Sequence, residues 1–278
     1  MSTPSPAEFV AALDARCEAI ETPCGDGTMR WRCWGDGPPL VLLHGAFGSW
    51  LHWVRNIEGL SRRFRLLAAD MPGYGASAMP PEPYTAESLA AIMTAGVRQI
   101  LGEAPLHLAG FSLGGILGGP MAAELGPQAR SLVLIGPNGL GVPFPAMPEL
   151  RRPEAGMSEA EHDAITRDNL GRLMLADPAS IDALAVYVQR QNARQSRARS
   201  AGIPDGDALL RALPRIGARI GALFGTDDVF LGPYLGERER ILREFQPGLD
   251  FRRVAGAGHW LPYERPETVN EAIVAMTA

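Results

Sequence analysis

Short, continuous apolar runs punctuate this chain and alternate with longer stretches in which apolar residues return every three or four positions. The runs cover residues 28–34, 40–43, 65–70, 106–111, 131–135, 220–224 and 251–254. A strand covered on both faces shows no polar alternation, so such runs read as strands inside a parallel sheet. The helix-period stretches fall between them, at 50–61, 85–101, 113–125, 235–245 and 266–276. Strands and helices taken in turn predict an α/β fold: a mostly parallel sheet with helices on both faces, joined by right-handed crossovers.

The alternation fails between Gly136 and Pro214. Residues 137–153 are rich in proline and glycine and read as a loop. Ser158 and Glu161 then make a capping box, which predicts a helix whose apolar side includes Ile165, Leu170, Leu173 and Met174. Asp177-Pro178 reads as a second helix start, with Ile181, Leu184, Ala185 and Val188 following at helical spacing. The expected organisation is a core of residues 1–137 and 215–278, with a helical cap of residues 138–214 over one edge of the sheet.

One uncharged run, 106–123, has the length of a membrane span. Glycines at 110, 114, 115, 118 and 119, with Ser112 and Pro120, divide it into a strand-like and a helix-like half, so a buried strand–turn–helix is expected instead. Hydrophobic residues make up 46% and charged residues 21%, the balance of a folded globular chain. The net charge of -5 comes with no basic stripe, which argues against a nucleic-acid partner; no membrane partner is expected either. Cys17, Cys24 and Cys33 are odd in number, so a disulfide framework is not expected and a reducing cytoplasm is. Residues 1–10 show no basic region followed by an apolar stretch, the mark of a secretion signal.

The sharpest local signal is Gly110-Phe111-Ser112-Leu113-Gly114, placed where the strand must turn abruptly into a helix. A serine there is held in a strained conformation with its hydroxyl above the strand ends, and flanking glycines avoid collision with neighbouring backbone. Ser112 is the candidate nucleophile, which needs a base. Five histidines compete. His259 lies after the last strand and before the last helix, in a loop expected at the same sheet edge as Ser112. His107 is expected to pack within its strand, while His52 and His162 fall in helix-like segments and read as surface residues. His259 is therefore the candidate general base. Gly225-Thr226-Asp227-Asp228 follows another strand; the spacing favours Asp228 as the acid that orients the base, with Asp227 as a turn residue. Two amides are needed for an oxyanion: that of Leu113, at the start of its helix, and one from His44-Gly45-Ala46-Phe47-Gly48, where Ala46 is the best-placed donor.

Together with the loop Asp70-Met71-Pro72-Gly73-Tyr74-Gly75-Ala76-Ser77 and the stretch Gly256-Ala257-Gly258-His259-Trp260, these features resemble the α/β-hydrolase superfamily over nearly all the chain outside the cap. The resemblance implies a serine hydrolase with the order Ser112, Asp228, His259, acting on a small carboxylic ester or related acyl substrate. Relatives that are haloalkane dehalogenases or epoxide hydrolases place aspartate where Ser112 stands, which argues against both. Residues 135–141, the cap and His259-Trp260 also resemble meta-cleavage-product hydrolases, which cut carbon–carbon bonds. Those carry a cap arginine for the acidic end of the substrate; here the matching position holds Gln189, with Arg190 beside it. A third reading is a ligand receptor on the same scaffold.

Around the site, His44, Gly45, Phe47, Phe111, Trp260 and Arg190 are candidate substrate contacts, and Trp50 and Trp53 candidate wall residues. Arg190, Arg194, Arg197 and Arg199 read as a solvated helix face more readily than as an anion site. No His, Cys, Asp or Glu grouping has metal-ligand spacing, and Gly73-Tyr74-Gly75 lacks the rest of a nucleotide loop, so neither metal nor cofactor is expected.

Overall fold

Parallel strands need a crossover between them, and the apolar runs supply one sheet threaded by helices. A computed structural model describes residues 4–199 and 202–278. Its sheet strands are β1 (Glu18–Cys24), β2 (Gly27–Trp34), β3 (Pro39–Leu43), β4 (Arg65–Ala69), β5 (Leu106–Phe111), β6 (Ala129–Ile135), β7 (Arg219–Gly225) and β8 (Asp250–Val254). They lie in the order β1-β2-β4-β3-β5-β6-β7-β8. Pairing is antiparallel for β1–β2 and β2–β4 and parallel from β4 onward. The expected α/β fold is therefore present, with an added edge strand. β1 escaped the sequence reading because it is polar along most of its length, as an exposed edge must be, and only Thr22 and Cys24 are buried.

The helices are α1 (Pro6–Asp14), α2 (Ile57–Leu60), α3 (Ala86–Leu101), α4 (Leu113–Leu125), α5 (Glu159–Leu173), α6 (Ala183–Gln195), α7 (Ala208–Ala212), α8 (Leu235–Phe245), α9 (Leu261–Glu264) and α10 (Pro266–Thr277). Two apolar clusters cover the two faces of the sheet. α4 is buried nearly all round, which is why 106–123 is so apolar. Among the described residues no helix is long and apolar enough to cross a membrane. The cysteines are all unpaired.

Between β6 and β7 stand α5, α6 and α7. The Ser158–Glu161 box closes the start of α5, with Glu161 N–H on Ser158 Oγ and Ser158 N–H on the Glu161 carboxylate. Asp177-Pro178 opens only a single 3-10 turn; the cap of α6 is Asp182, whose Oδ1 accepts the Ala185 N–H at 2.9 Å. The segment 50–61 breaks similarly into a 3-10 turn, Trp50–Trp53, and the short α2. α7 packs on α4, with Leu209 and Ala212 fully buried.

Register decides where the site forms. Leu43 pairs with Gly110, Phe111 with Ile135, Ile135 with Leu223, and Gly225 with Val254, so five strands end at one rim. The α4 axis crosses that rim closely. A Cβ on Gly114 would lie 2.3 Å from the Leu43 carbonyl oxygen. Gly114→Ala should therefore destabilise by about 3 kcal/mol, because rigid backbone must move. Gly217→Ala, which has open space and no left-handed backbone, should stay within roughly 0.5 kcal/mol of the parent. Urea unfolding of both variants checks this; equal stability would show that α4 can shift freely.

Candidate active site

Ser112 sits in the one-residue gap between β5 and α4, with φ 51° and ψ −116°. That conformation costs a non-glycine residue on the order of 1–3 kcal/mol and persists only where the surroundings over-determine it. Here the Ser112 N–H donates to Ile135 C=O at 2.9 Å, and its carbonyl accepts from the Gly115 and Ile116 amides. The hydroxyl is left free to meet the loop after β8. His259 Nε2 lies 2.9 Å from Ser112 Oγ, and His259 Nδ1 lies 2.6 Å from Asp228 Oδ2. A carboxylate only accepts, so Nδ1 carries the proton and Nε2 offers its lone pair to the serine.

Asp228 is buried, and its other oxygen accepts the Phe230 N–H at 2.8 Å. Asp227 is exposed and bonds to Thr226 within the turn. The His259 ring lies between Phe111 and Phe230, at 5.1 and 4.4 Å between centroids. Its loop is held from below by Glu264, a buried carboxylate absent from the sequence reading. Glu264 accepts the Gly258 N–H and the Asp177 N–H, both at 2.6 Å, while Trp260 N–H donates to Met174 C=O. The backbone around His259 is thereby tied to the junction of α5 and α6.

The loop after β3 runs beside Ser112. His44 Nε2 accepts the Met71 N–H at 2.9 Å, so its Nδ1 carries the proton and donates to Gly45 C=O at 2.7 Å. The Gly45 N–H donates to His52 Nδ1 at 3.1 Å. Among the described residues the Ala46 and Leu113 amides make no hydrogen bond. Burial pushes the His44 imidazole down to about 4, against the opposing pull of its bond to Gly45 and the Asp70 charge. Burial, then the neighbouring His44 and His259, hold His52 well below its ordinary value. Both rings are neutral at pH 7.

A cavity of about 910 Å³ opens over Ser112, walled by the strand-end loops on one side and α5 and α6 on the other. Gly45, Phe47, Phe111 and Arg190 line it; His44 and Trp260 do not, being fully buried beneath the loops. Trp260 instead donates its indole N–H to His52 C=O at 3.0 Å. Trp50 and Trp53 also lie in the core behind the wall. His52 and His162 line the cavity, and His52 is buried, so neither is a bystander on the surface. The local signal for His52 was Gly48: a Cβ there would lie 2.3 Å from the His52 ring. Arg194, Arg197 and Arg199 are exposed, as a solvated face requires, while Arg190 is partly buried. Arg190 is held by Glu159 and Asp163 of α5, Arg197 donates to Ser77 C=O, the Arg199 N–H donates to Tyr84, and Arg194 lines the cavity. Among the described residues no group of three His, Cys, Asp or Glu could hold a metal ion.

Residues 40–272 match the model of the Alpha/beta hydrolase family. The dihydrolipoyllysine-residue acetyltransferase component of an acetoin cleaving system from Pseudomonas putida is 35% identical over 141 residues, 49% of this chain and 38% of that protein. A pimeloyl-[acyl-carrier protein] methyl ester esterase of Vibrio vulnificus is 34% identical over 109 residues, 38% of this chain and 40% of the esterase. The chain thus spans about two fifths of the length of these curated relatives. Among solved structures, naproxen esterase from Bacillus subtilis superposes with a TM-score of 0.75 at 21% identity, covering 100% of both chains. At that identity the likeness speaks for the fold.

A buried neutral histidine makes stability depend on pH. The folded value of His44 near 4 lies below its ordinary 6.5, so the unfolded chain binds the proton more readily. Its contribution is complete above about pH 6.5 and is lost as the pH falls toward 4, amounting to about 3 kcal/mol. Urea unfolding from pH 7 to 4.5 should show stability falling on the acid side, more steeply in the native protein than in His44→Asn. Parallel slopes would assign the acid sensitivity to other groups.

Proposed function

The chain belongs to the alpha/beta hydrolase family, and within it we propose a serine hydrolase acting on small carboxylic esters. The observation that carries this reading is the unbroken chain of hydrogen bonds from Ser112 through His259 to Asp228, beside two unengaged amides. In this reading the Ser112 Oγ attacks the ester carbonyl while His259 Nε2 takes its proton. Asp228 holds the imidazole in the required tautomer and stabilises the imidazolium as it forms. The carbonyl oxygen becomes an oxyanion facing the Ala46 and Leu113 amides, whose bonds strengthen as charge develops. His259 then returns its proton to the departing alkoxide, leaving an acyl-serine. A water deprotonated by His259 attacks that acyl group and restores the serine.

Residues 138–214 act as the cap in this scheme, and its helices set the substrate's shape. The cavity walls near Ser112 are apolar, with Leu113, Ile116, Phe230 and Leu231 on one side and Leu170, Leu173 and Met174 opposite. They suit an aryl or medium-length alkyl ester. Two observations favour ester over carbon–carbon cleavage. The Arg190 guanidinium is already met by two carboxylates, so it is not a free partner for an acidic substrate end. The Vibrio vulnificus relative is named as a methyl ester esterase.

Ser112→Ala should lower kcat on p-nitrophenyl esters by on the order of 10³- to 10⁶-fold and abolish labelling by a fluorophosphonate probe. Turnover retained in that variant would remove Ser112 from the mechanism, and absence of labelling in the native protein would favour the receptor alternative. Lengthening the acyl chain from two carbons should lower KM by about fourfold per methylene until the cavity is filled, at about 0.8 kcal/mol per buried group. A KM independent of chain length would place the acyl group outside the cavity.

A further inference from the structure

We propose that His52 is a positioning residue for the oxyanion loop: its Nδ1 captures the Gly45 amide and so leaves and aims the Ala46 amide as the loop's donor. The proposal rests on the hydrolase reading and deepens it. Gly45 and Ala46 bring two successive amides to the loop beside Ser112, and only the first is spent within the protein. A Cβ on Gly45 would lie 3.3 Å from Ser112 Cβ, so this peptide borders the reacting group.

Gly45 is gripped on both of its flanking peptide planes by histidines of opposite tautomer. His44 donates from Nδ1 to its carbonyl, and His52 accepts at Nδ1 from its N–H. An acceptor at Nδ1 requires the proton on Nε2, and the ring acts only while neutral. Its place is enforced on several sides. Gly48 leaves the space that the ring fills, with His52 Cε1 and Nδ1 2.3 and 2.4 Å from where a Cβ would stand. The ring meets Phe111 edge-on at 5.4 Å and Trp260 at 5.1 Å, and the His52 carbonyl is held by the Trp260 indole. The Ala46 N–H shares a plane with the Gly45 carbonyl that His44 holds, and His52 fixes the plane before it, so the hinge at the Gly45 Cα is held on both sides. Phe47 completes the turn in the left-handed region at φ 54°, with its side chain at the cavity wall. Without His52 the Gly45 N–H becomes an orphan donor, free to swing and compete for the same oxygen.

Asparagine and glutamine separate the two ring nitrogens, because the Asn Oδ1 occupies roughly the place of Nδ1 and the Gln amide that of Nε2. His52→Asn should keep kcat within about fivefold of native. His52→Gln should lower it by about 10²-fold with KM within about threefold, the size of a displaced oxyanion donor. Amide exchange of the native protein and both variants should show Gly45 protected in the native protein and His52→Asn and opened in His52→Gln. Native kcat in His52→Gln, or equal losses in both variants, would overturn the assignment while leaving the hydrolase reading intact. If the native protein neither turns over esters nor reacts with the fluorophosphonate, the hydrolase reading falls and takes this role with it, a result visible before any substitution is made.

Discussion

The contact on which the rest of the site depends is between α4 and the backbone at the end of β3. Gly114 sits against the carbonyls of Leu43 and His44, and Gly110 against the carbonyl of Gly114, at distances no side chain could share. That closeness forces the chain to turn from strand to helix within a single residue. Ser112 takes the strained backbone that results, and the strain puts its hydroxyl above the sheet rather than inside it. The same contact brings the loop after β3 beside the first turn of α4, so the amides of Ala46 and Leu113 come from adjoining chain segments. Packing of glycine on backbone thus sets both the proposed nucleophile and the amides proposed to stabilise charge.

His44, His52, His259 and Asp228 around this contact are buried, and each is bonded in a fixed sense. His44 and His52 divide the backbone groups of Gly45 between them, one donating to its carbonyl and one accepting from its N–H. Asp228 spends one oxygen on its own turn and one on His259. In a low-dielectric interior such bonds are strong when satisfied and costly when not, so the network resists the small displacements that would spoil an aligned proton path. The neutral state of the two loop histidines belongs to this arrangement, since a protonated ring would lose its acceptor.

The helices over the cavity are fastened to the core at points that bear on His259. Glu264 joins the α5–α6 junction to the loop of His259, and Trp260 N–H reaches Met174. Asp182, which caps α6, also receives the Tyr263 hydroxyl at 2.5 Å and the Arg55 guanidinium, with Arg55 stacked over the Tyr263 ring at 3.9 Å. On this side the helices over the cavity are bonded to the core by several polar contacts. In the proposed function, shape selection by these helices and alignment of His259 share the same bonds.

Much of this was legible in the chain alone, because it is written in local terms. Apolar runs bounded by turns mark β2 to β8 within a residue or two, and a serine between glycines at a strand-to-helix junction marks the elbow. The polar edge strand β1 carried no such mark. Nor did the partner of a buried group: His52 looked like a surface residue until Gly48 was seen to admit its ring, and Glu264 had no local signature. His44 and Trp260 were near the site in sequence yet lie behind it, since a residue's neighbours along the chain do not say which way its side chain is packed. The sequence by itself determined the elements, their order and the chemical types available at the rim. Only the tertiary structure decided which amides stay free, which arginine is already paired and which histidine accepts from the loop, because those depend on how atoms pack in space, whether their residues lie 7 apart, as Gly45 and His52 do, or 27 and 31 apart, as Arg190 lies from Asp163 and Glu159.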